Sequence, residues 1–491
     1  MFPPDLNADP QFAPNRWAAR LTPRFLLLLW LAGLGVRLAT AFLYGTQDME
    51  YWKGWGDYLV HHRLSDIYGA TDQEIVTLWT AGRTIPEITA ATQRPIPFRD
   101  VRYYSVRGYP ICQPPLLLYS LYPGAWLYRL FDPGMPNGYW FNFFTNLQPI
   151  FFSWITALII GRITRMQYGV PIGRVAALAF WLNPLVILNT PVQGYQDILC
   201  SMLSMLAVIG AFQKRPIATW GFLAMALLVK PWAFFVAPAV IWVALREQGR
   251  KGNLIGILAA AAVSVLICLP FLVTSHFLSM ILGVISLSVH ARKLSLQALN
   301  LWWPVQYAAN LAVLMRDYGL SVWSAQSQAA VFEDVPTAGF SQRFGVPASG
   351  IATALWLGFS ILNFMWMRAK TNLDRRVVIL GCALQAYGWY LFRTGLQGHQ
   401  SFILVPVLSL VMFASPELWR RYIVIIAILF SQELLFYGFG RDFNPGRDML
   451  FGLGLSGLTV ILAIAHVVFF VRFLSELDFF APFRRPLRPE A

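Results

Sequence analysis

The sequence predicts an all-α polytopic membrane protein, and three observations predict it. Hydrophobic residues make up 57% of the 491 and charged residues only 13%, with a mean hydropathy of +0.53. A soluble domain carries about 25% charged residues. Apolar runs such as 25–34, 151–160 and 453–471 suit bilayer crossing. Basic residues recur between the runs in an alternating order, which the positive-inside rule converts into a topology. The net charge of +14 would suggest nucleic acid in a soluble protein. Here it follows from cytoplasmic-loop bias, so membrane lipids are expected partners and nucleic acid is not. Cys112, Cys200, Cys268 and Cys382 are scattered, three of them in apolar runs. Neither a disulfide framework nor a metal site is expected, and no cofactor.

The elements follow in order. Arg16, Arg20 and Arg24 precede the first span, 25–44, so the N-terminus (1–24) is expected in the cytoplasm, without a cleavable signal pattern. An N-terminal transmembrane module covers 25–273 and contains an external loop, 45–139. In that loop, Tyr51, Trp55, Tyr58 and Leu59 recur at helical spacing, the pattern of an amphipathic helix on the membrane surface. The run 114–131 begins with Pro114-Pro115 and reads as a surface or re-entrant helix; 140–161 is the clearer span and leads to Arg162, Arg165 and Arg174.

Run 175–189 then goes out and 198–212 returns to Lys214-Arg215. A short hairpin, 216–245, joins two half-length runs at Lys230-Pro231, and its turn is expected at a cavity, where polar backbone is tolerated inside a membrane. Span 254–273 leads to a second external segment, 274–346, with a marginal apolar run at 299–315. The C-terminal helices, 347–471, alternate through 377–392, 402–413, 422–436 and 450–471 to a cytoplasmic tail, 472–491. The total is about twelve membrane segments with both termini inside. No internal repeat is evident, which speaks against inverted-repeat transporters.

An ionisable side chain at the centre of a span costs about 2.5–3.5 kcal/mol, so each one calls for a reason. Arg37, Lys230, Arg393 and Glu433 stand within apolar runs; Asp48, Glu50, Asp197, His290, Arg292, Lys293 and His399 stand at external ends. One outward-opening cavity would gather nearly all of them. Structural roles are also open to each. Arg37 can snorkel or pair, Asp48, Glu50 or Asp197 can cap helices, and His290, Arg292 and Lys293 can form a solvated cluster. Glu433 can be a hydrogen-bonded structural acid, and the tryptophans and tyrosines near helix ends, Tyr51, Trp52 and Trp55 included, can be membrane anchors. No HExxH, GxSxG, paired CxxC or Walker loop is present.

Six short motifs occur in order: QDMEYWKGW from Gln47, YPICQPPLLLY from Tyr109, NPLVILNTPVQGYQDILCSMLSMLAV from Asn183, ALLVKPWAFFVAPAV from Ala226, HARKLSLQALNLWW from His290 and GLQGHQSFILVPVL from Gly395. In this series the chain resembles the GT-C glycosyltransferases, integral membrane enzymes that use polyprenyl- or dolichyl-phosphate sugars. The resemblance is strongest to the eukaryotic glucosyltransferases that extend the N-glycan precursor and to bacterial mannosyltransferase-like relatives of the GPI-anchor enzymes. The chain departs from the family pattern twice. Ile111-Cys112-Gln113 is inserted between Tyr109-Pro110 and Pro114-Pro115, and Gln400-Ser401 follow His399 where the family has an acidic and a basic residue.

The resemblance implies a GT-C-like fold and an inverting transfer of a hexose or related sugar. The donor would be a polyprenyl-phosphate-linked sugar, and the acceptor a hydroxyl of a glycan or lipid-linked molecule on the external face. It makes Asp48 the general base. His290, Arg292 and Lys293 are the first candidates to hold the donor phosphate, with Lys230 and Arg37 behind them. Glu50, Tyr109, Gln193, Gln196, Asp197 and His399 are candidates for the sugar and acceptor. A lipid phosphate is already a good leaving group, so metal independence is expected. An external face means periplasm in a bacterium and lumen in a eukaryote; the compact loops and the lack of glycosylation sequons outside spans favour a bacterial inner membrane with the site facing the periplasm or exterior. The alternatives are a transporter or flippase for a lipid-linked or anionic solute, and a non-catalytic scaffold.

Overall fold

The computed structural model describes residues 22–69, 113–286, 292–370, 373–440 and 453–480. Within them the chain is helical, and extended pairing is limited to isolated bridges of Lys293 with Pro336 and Leu296 with Gln397. Tyr109 and His290 lie outside the described residues.

The N-terminal helices are α1 (Pro23–Thr40), α2 (Gln47–His61), α3 (Pro115–Phe131), α4 (Tyr139–Tyr168), α5 (Val170–Trp181), α6 (Pro184–Val192), α7 (Asp197–Phe212), α8 (Pro216–Val229), α9 (Ala237–Glu247), α10 (Gly249–Leu272) and α11 (Phe277–Ser286). After them come α12 (Trp302–Tyr318), α13 (Thr337–Phe344), α14 (Ala348–Ala369), α15 (Arg375–Phe392), α16 (Gly398–Ala414), α17 (Pro416–Phe436) and α18 (Leu458–Glu476). Proline stands in the first turn of α1, α3, α5, α6, α8, α9 and α17. There its missing N–H has no helical partner to lose and its fixed φ favours the helix.

Among the described residues, α1, α4, α10, α14 and α18 are long and apolar enough to cross a bilayer, and the pair α5–α6, bent by 42°, makes a sixth candidate. The other expected segments coincide with helices that are shorter or less apolar, among them α7, α8 and α16. The outer helices turn bare hydrophobic surface outward: Leu27 and Leu28 on α1, Leu258 and Leu266 on α10, Ile461 and Val468 on α18. Apolar surface on that scale belongs against lipid. The centre is α7, in which every residue from Asp197 to Met205 is buried, as befits a helix apolar on all sides. It packs along α8, which in turn packs on α10, while α4 packs on α5 and α14 on α15.

Helix α2 departs from the expected surface anchor. Trp52, Trp55, Tyr58 and Leu59 are buried in a cluster with Leu117, Leu118 and Leu121 of α3, and only Tyr51 is exposed among the aromatic residues of its first turns. The amphipathic face was legible, but its partner is another helix of the protein. Trp52 and Trp55 are therefore core residues, and the anchor role does not apply to them. The expected hairpin is two helices, α8 and α9, separated by a 3-10 turn, Pro231–Phe235. Lys230 at the break is extended (φ −151°, ψ 144°), as the residue before a proline prefers to be.

Candidate functional site

The site begins with a broken helix. Asn183 caps α6, its Oδ1 accepting from Leu185 N at 2.9 Å. Pro191 then denies the helix a backbone donor, and 188–192 widen into a π turn. The chain reverses at Gly194, whose φ of +74° is a left-handed value open to glycine; a Cβ there would also lie 2.2 Å from Met49 Cε. The carbonyl of Gln193, one residue earlier, accepts from Thr46 N (2.9 Å) and from the Thr46 hydroxyl (3.1 Å). Asn146 of α4 ties the same region together, its Nδ2 donating to the carbonyls of Ala41 and Pro191. These bonds fix the start of α2 against the start of α7, and so bring Asp48 near Asp197.

Asp197 opens α7 but does not cap it. Its Oδ1 takes a hydrogen bond from Lys230 Nζ at 2.6 Å, and its Oδ2 lies 3.9 Å from His399 Nε2. All three side chains are buried. The helix N-terminus favours the carboxylate's charge, and the carboxylate offsets that of Lys230, which also sits 5.2 Å over the Trp52 ring. Removing one partner of such a buried pair leaves an uncompensated charge and costs about 3–5 kcal/mol. The imidazole of His399 stacks on Tyr195 with ring centroids 3.9 Å apart, and Tyr437 meets both rings edge-on.

Asp48 faces this group from the first turn of α2, partly buried. Burial pushes its carboxyl up to about 6; Lys230 opposes the shift and Asp197 adds to it. The shifted value suits a group that changes protonation near neutral pH. Glu50, two residues on, belongs to a different cluster. It pairs with Lys53 at 3.3 Å and accepts from Asn137, while Lys53 also reaches Asn137 and Asn142. Residues two apart on a helix do not share a face.

The remaining candidates divide. Gln193 donates to the carbonyls of Glu433 and Gly438. Gln196 is buried, and neither end of its amide has a hydrogen-bond partner among the described residues; nor does His399 Nδ1, nor Asp197 Oδ2, whose contact with His399 Nε2 at 3.9 Å is longer than a hydrogen bond. Buried polar atoms left unpaired by the protein are costly, and their convergence here suits a polar ligand. Arg292 is exposed, with no ion pair among the described residues, and Lys293 pairs with Asp334 at 2.5 Å. The extended stretch they open runs beside 395–397, next to His399: Leu296 N donates to Leu396 O, and Gly395 N to Leu294 O. Arg37 is elsewhere. Its guanidinium lies 3.8 Å over Trp181 and donates to Gly33 O within its own helix. It has no contact with the Asp197 group among the described residues. Glu433 accepts from Asn189 in the interior. The described residues contain no group of three or more His, Cys, Asp or Glu arranged to hold a metal, and Cys200, Cys268 and Cys382 are separate free thiols.

Sequence reasoning passed over Tyr195 and Tyr437. Tyr195 lies inside the GYQD motif and was within reach. Tyr437 follows an apolar helix like many other aromatics, and only folding brings it to the carbonyl of Leu296 and the amide of Gly398.

Between α3, α4, α7 and α8 lies an apolar cavity of about 550 Å³, lined among others by Tyr119, Ser120, Phe152, Met202 and Met225. Leu199 and Leu203 of α7 also line it. At 1.5 Å per residue, Met202 lies about 7–8 Å along the α7 axis from Asp197. On α7 the wall residues Leu199, Met202 and Leu203 stand about 140–240° round the helix from Asp197, so the apolar space and the polar group lie on different faces of α7. No protein-family model matches this chain, and no curated protein matches it at a significant level.

Proposed function

We propose that the chain is a GT-C-like membrane glycosyltransferase, built on about twelve membrane segments, that transfers a sugar from a polyprenyl-phosphate carrier to a glycan or lipid-linked acceptor on the external face of a bacterial inner membrane. The observation that carries the reading is Asp48, a carboxyl shifted toward neutral pH by burial and placed among Asp197, Lys230 and His399; an apolar cavity lies separately between α3, α4, α7 and α8. A sugar bound to a lipid phosphate asks for that combination: space for a chain, polar partners for a sugar and a base for the acceptor.

In this reading a carboxylate oxygen of Asp48 takes the proton of the acceptor hydroxyl as its oxygen attacks the anomeric carbon. The bond from that carbon to the phosphate oxygen breaks, and the lipid phosphate leaves with the electron pair. Arg292 is the candidate cation for the departing phosphate, since Lys230 is already offset by Asp197. A guanidinium can grip a phosphate through two parallel hydrogen bonds. Gln196, His399 and Asp197 Oδ2 supply unpaired donors and acceptors for the sugar or acceptor. A single displacement inverts the anomeric centre.

A second reading has one observation in its favour. Buried titratable groups such as Asp197, Lys230 and His399 also mark ion paths in transporters. Purified protein in nanodiscs, supplied with a panel of polyprenyl-phosphate sugars and candidate acceptors, separates the two. The enzyme reading expects a new glycoside whose anomeric configuration, read by NMR, is opposite to the donor's. A retained configuration removes the single-displacement mechanism. Absence of transfer from every donor, with solute uptake in proteoliposomes, favours transport.

A further inference from the structure

A second, larger cavity of about 890 Å³ lies between α1, α4 and α5, apart from the site above. Its walls are apolar, with Leu26, Trp30 and Leu158 among them, and Arg162, Arg165 and Arg174 also line it. The three arginines come together because α4 and α5 form a tight hairpin turning at Gly169 (φ +91°). The two helices touch where Gly161 faces Gly173: a Cβ on Gly173 would lie 2.6 Å from the carbonyl of Gly161. That contact keeps the arginine-bearing turns side by side. Arg162 and Arg165, three apart, share one face of α4. No carboxylate lines the cavity, and none of the three guanidinium groups has an ion-pair partner among the described residues.

We propose that this cavity binds an anionic phospholipid of the cytoplasmic leaflet, the headgroup phosphate between the three guanidinium groups and an acyl chain along Leu26, Trp30 and Leu158. Basic residues at span ends are ordinary topology signals, and Arg250 and Lys251 at the start of α10 are of that kind. The difference is convergence. Three uncompensated guanidinium groups from two helices line one concavity whose remaining walls are apolar, matching the two halves of a lipid. Each basic residue near an anionic surface contributes about fivefold in affinity, and guanidinium groups add directed bonds to phosphate.

Native mass spectrometry of the full chain, extracted from membranes and titrated with phosphatidylglycerol, tests this. We expect a saturable adduct of one lipid, absent with phosphatidylcholine. The adduct should weaken about fivefold in R165Q and about a hundredfold in R162Q/R165Q/R174Q, and be unchanged in R250Q/K251Q. If the triple variant does not fold, R162Q and R174Q singly carry the same comparison. Equal loss in R250Q/K251Q would mean diffuse surface charge and overturn the proposal. Displacement of the lipid by glycerol 3-phosphate at similar concentration would mean a soluble phosphate ligand and overturn it too.

Discussion

In the proposed reaction Asp48 is the base, and its environment makes a directional prediction. Its carboxyl is raised to about 6, so the protonated form gains population as the pH falls through that value. A base works only when deprotonated. Transfer should therefore be full well above pH 6 and fall about tenfold per unit well below it, measured as kcat/KM across pH 4.5–8. A profile flat to pH 5 would assign the base elsewhere. Lys230 carries a stability prediction. With Asp197 buried at 2.6 Å from it, Lys230→Met should cost about 3–5 kcal/mol in reversible unfolding, and less when Asp197→Asn is added, because the second change removes the orphaned charge. Most of these residues were legible as chemistry: charges in apolar runs are conspicuous. Their partners were not. Lys230 suits a phosphate as well as a carboxylate on composition alone, and only its placement against Asp197, 33 positions away, decides what it touches. Arg37 stood out equally in the sequence and packs on Trp181 instead.

At the scale of elements, the break at 188–196 and the break at 230–231 are what deliver side chains to the site. The second is read from Lys230-Pro231, while 175–189 reads as one unbroken run although Pro184 and Pro191 interrupt the helix there. What the sequence left open was the partner of α2. An amphipathic pattern states that a face is buried and says nothing of whether lipid or protein covers it; here α3 does. The cavity formed by α3, α4, α7 and α8 was likewise invisible, since it is the space left by four helices far apart in sequence. It gives a prediction specific to the lipid half of the donor. Ser120 is half-buried on its wall, and Ser120→Phe would fill part of the space. KM should rise for long-chain polyprenyl-phosphate sugars and stay unchanged for a donor truncated to one or two isoprene units. An equal change for both donors would detach the cavity from donor binding.

Across the whole molecule, the helical architecture and the order of apolar segments follow from composition and period, because a membrane leaves backbone few alternatives to helix. The number of crossings is less directly written. Short and bent helices such as α5–α6, α8 and α16 are apolar enough for the interior but too short or too broken to be read as crossings by length. They are also the helices that border the Asp197 group, so irregular backbone and polar side chains occur together there. Polar backbone inside a membrane is tolerated where protein covers it, and a covered cavity is where chemistry can be placed. The central claim is that Asp48 removes the acceptor proton at the Asp197 group. The most direct test is the single-turnover rate of sugar transfer by D48N beside the wild-type protein, at saturating polyprenyl-phosphate sugar, with equal donor binding shown for both. A fall of about 10²–10⁴-fold with donor affinity retained is the expected result, and a wild-type rate in D48N contradicts the account.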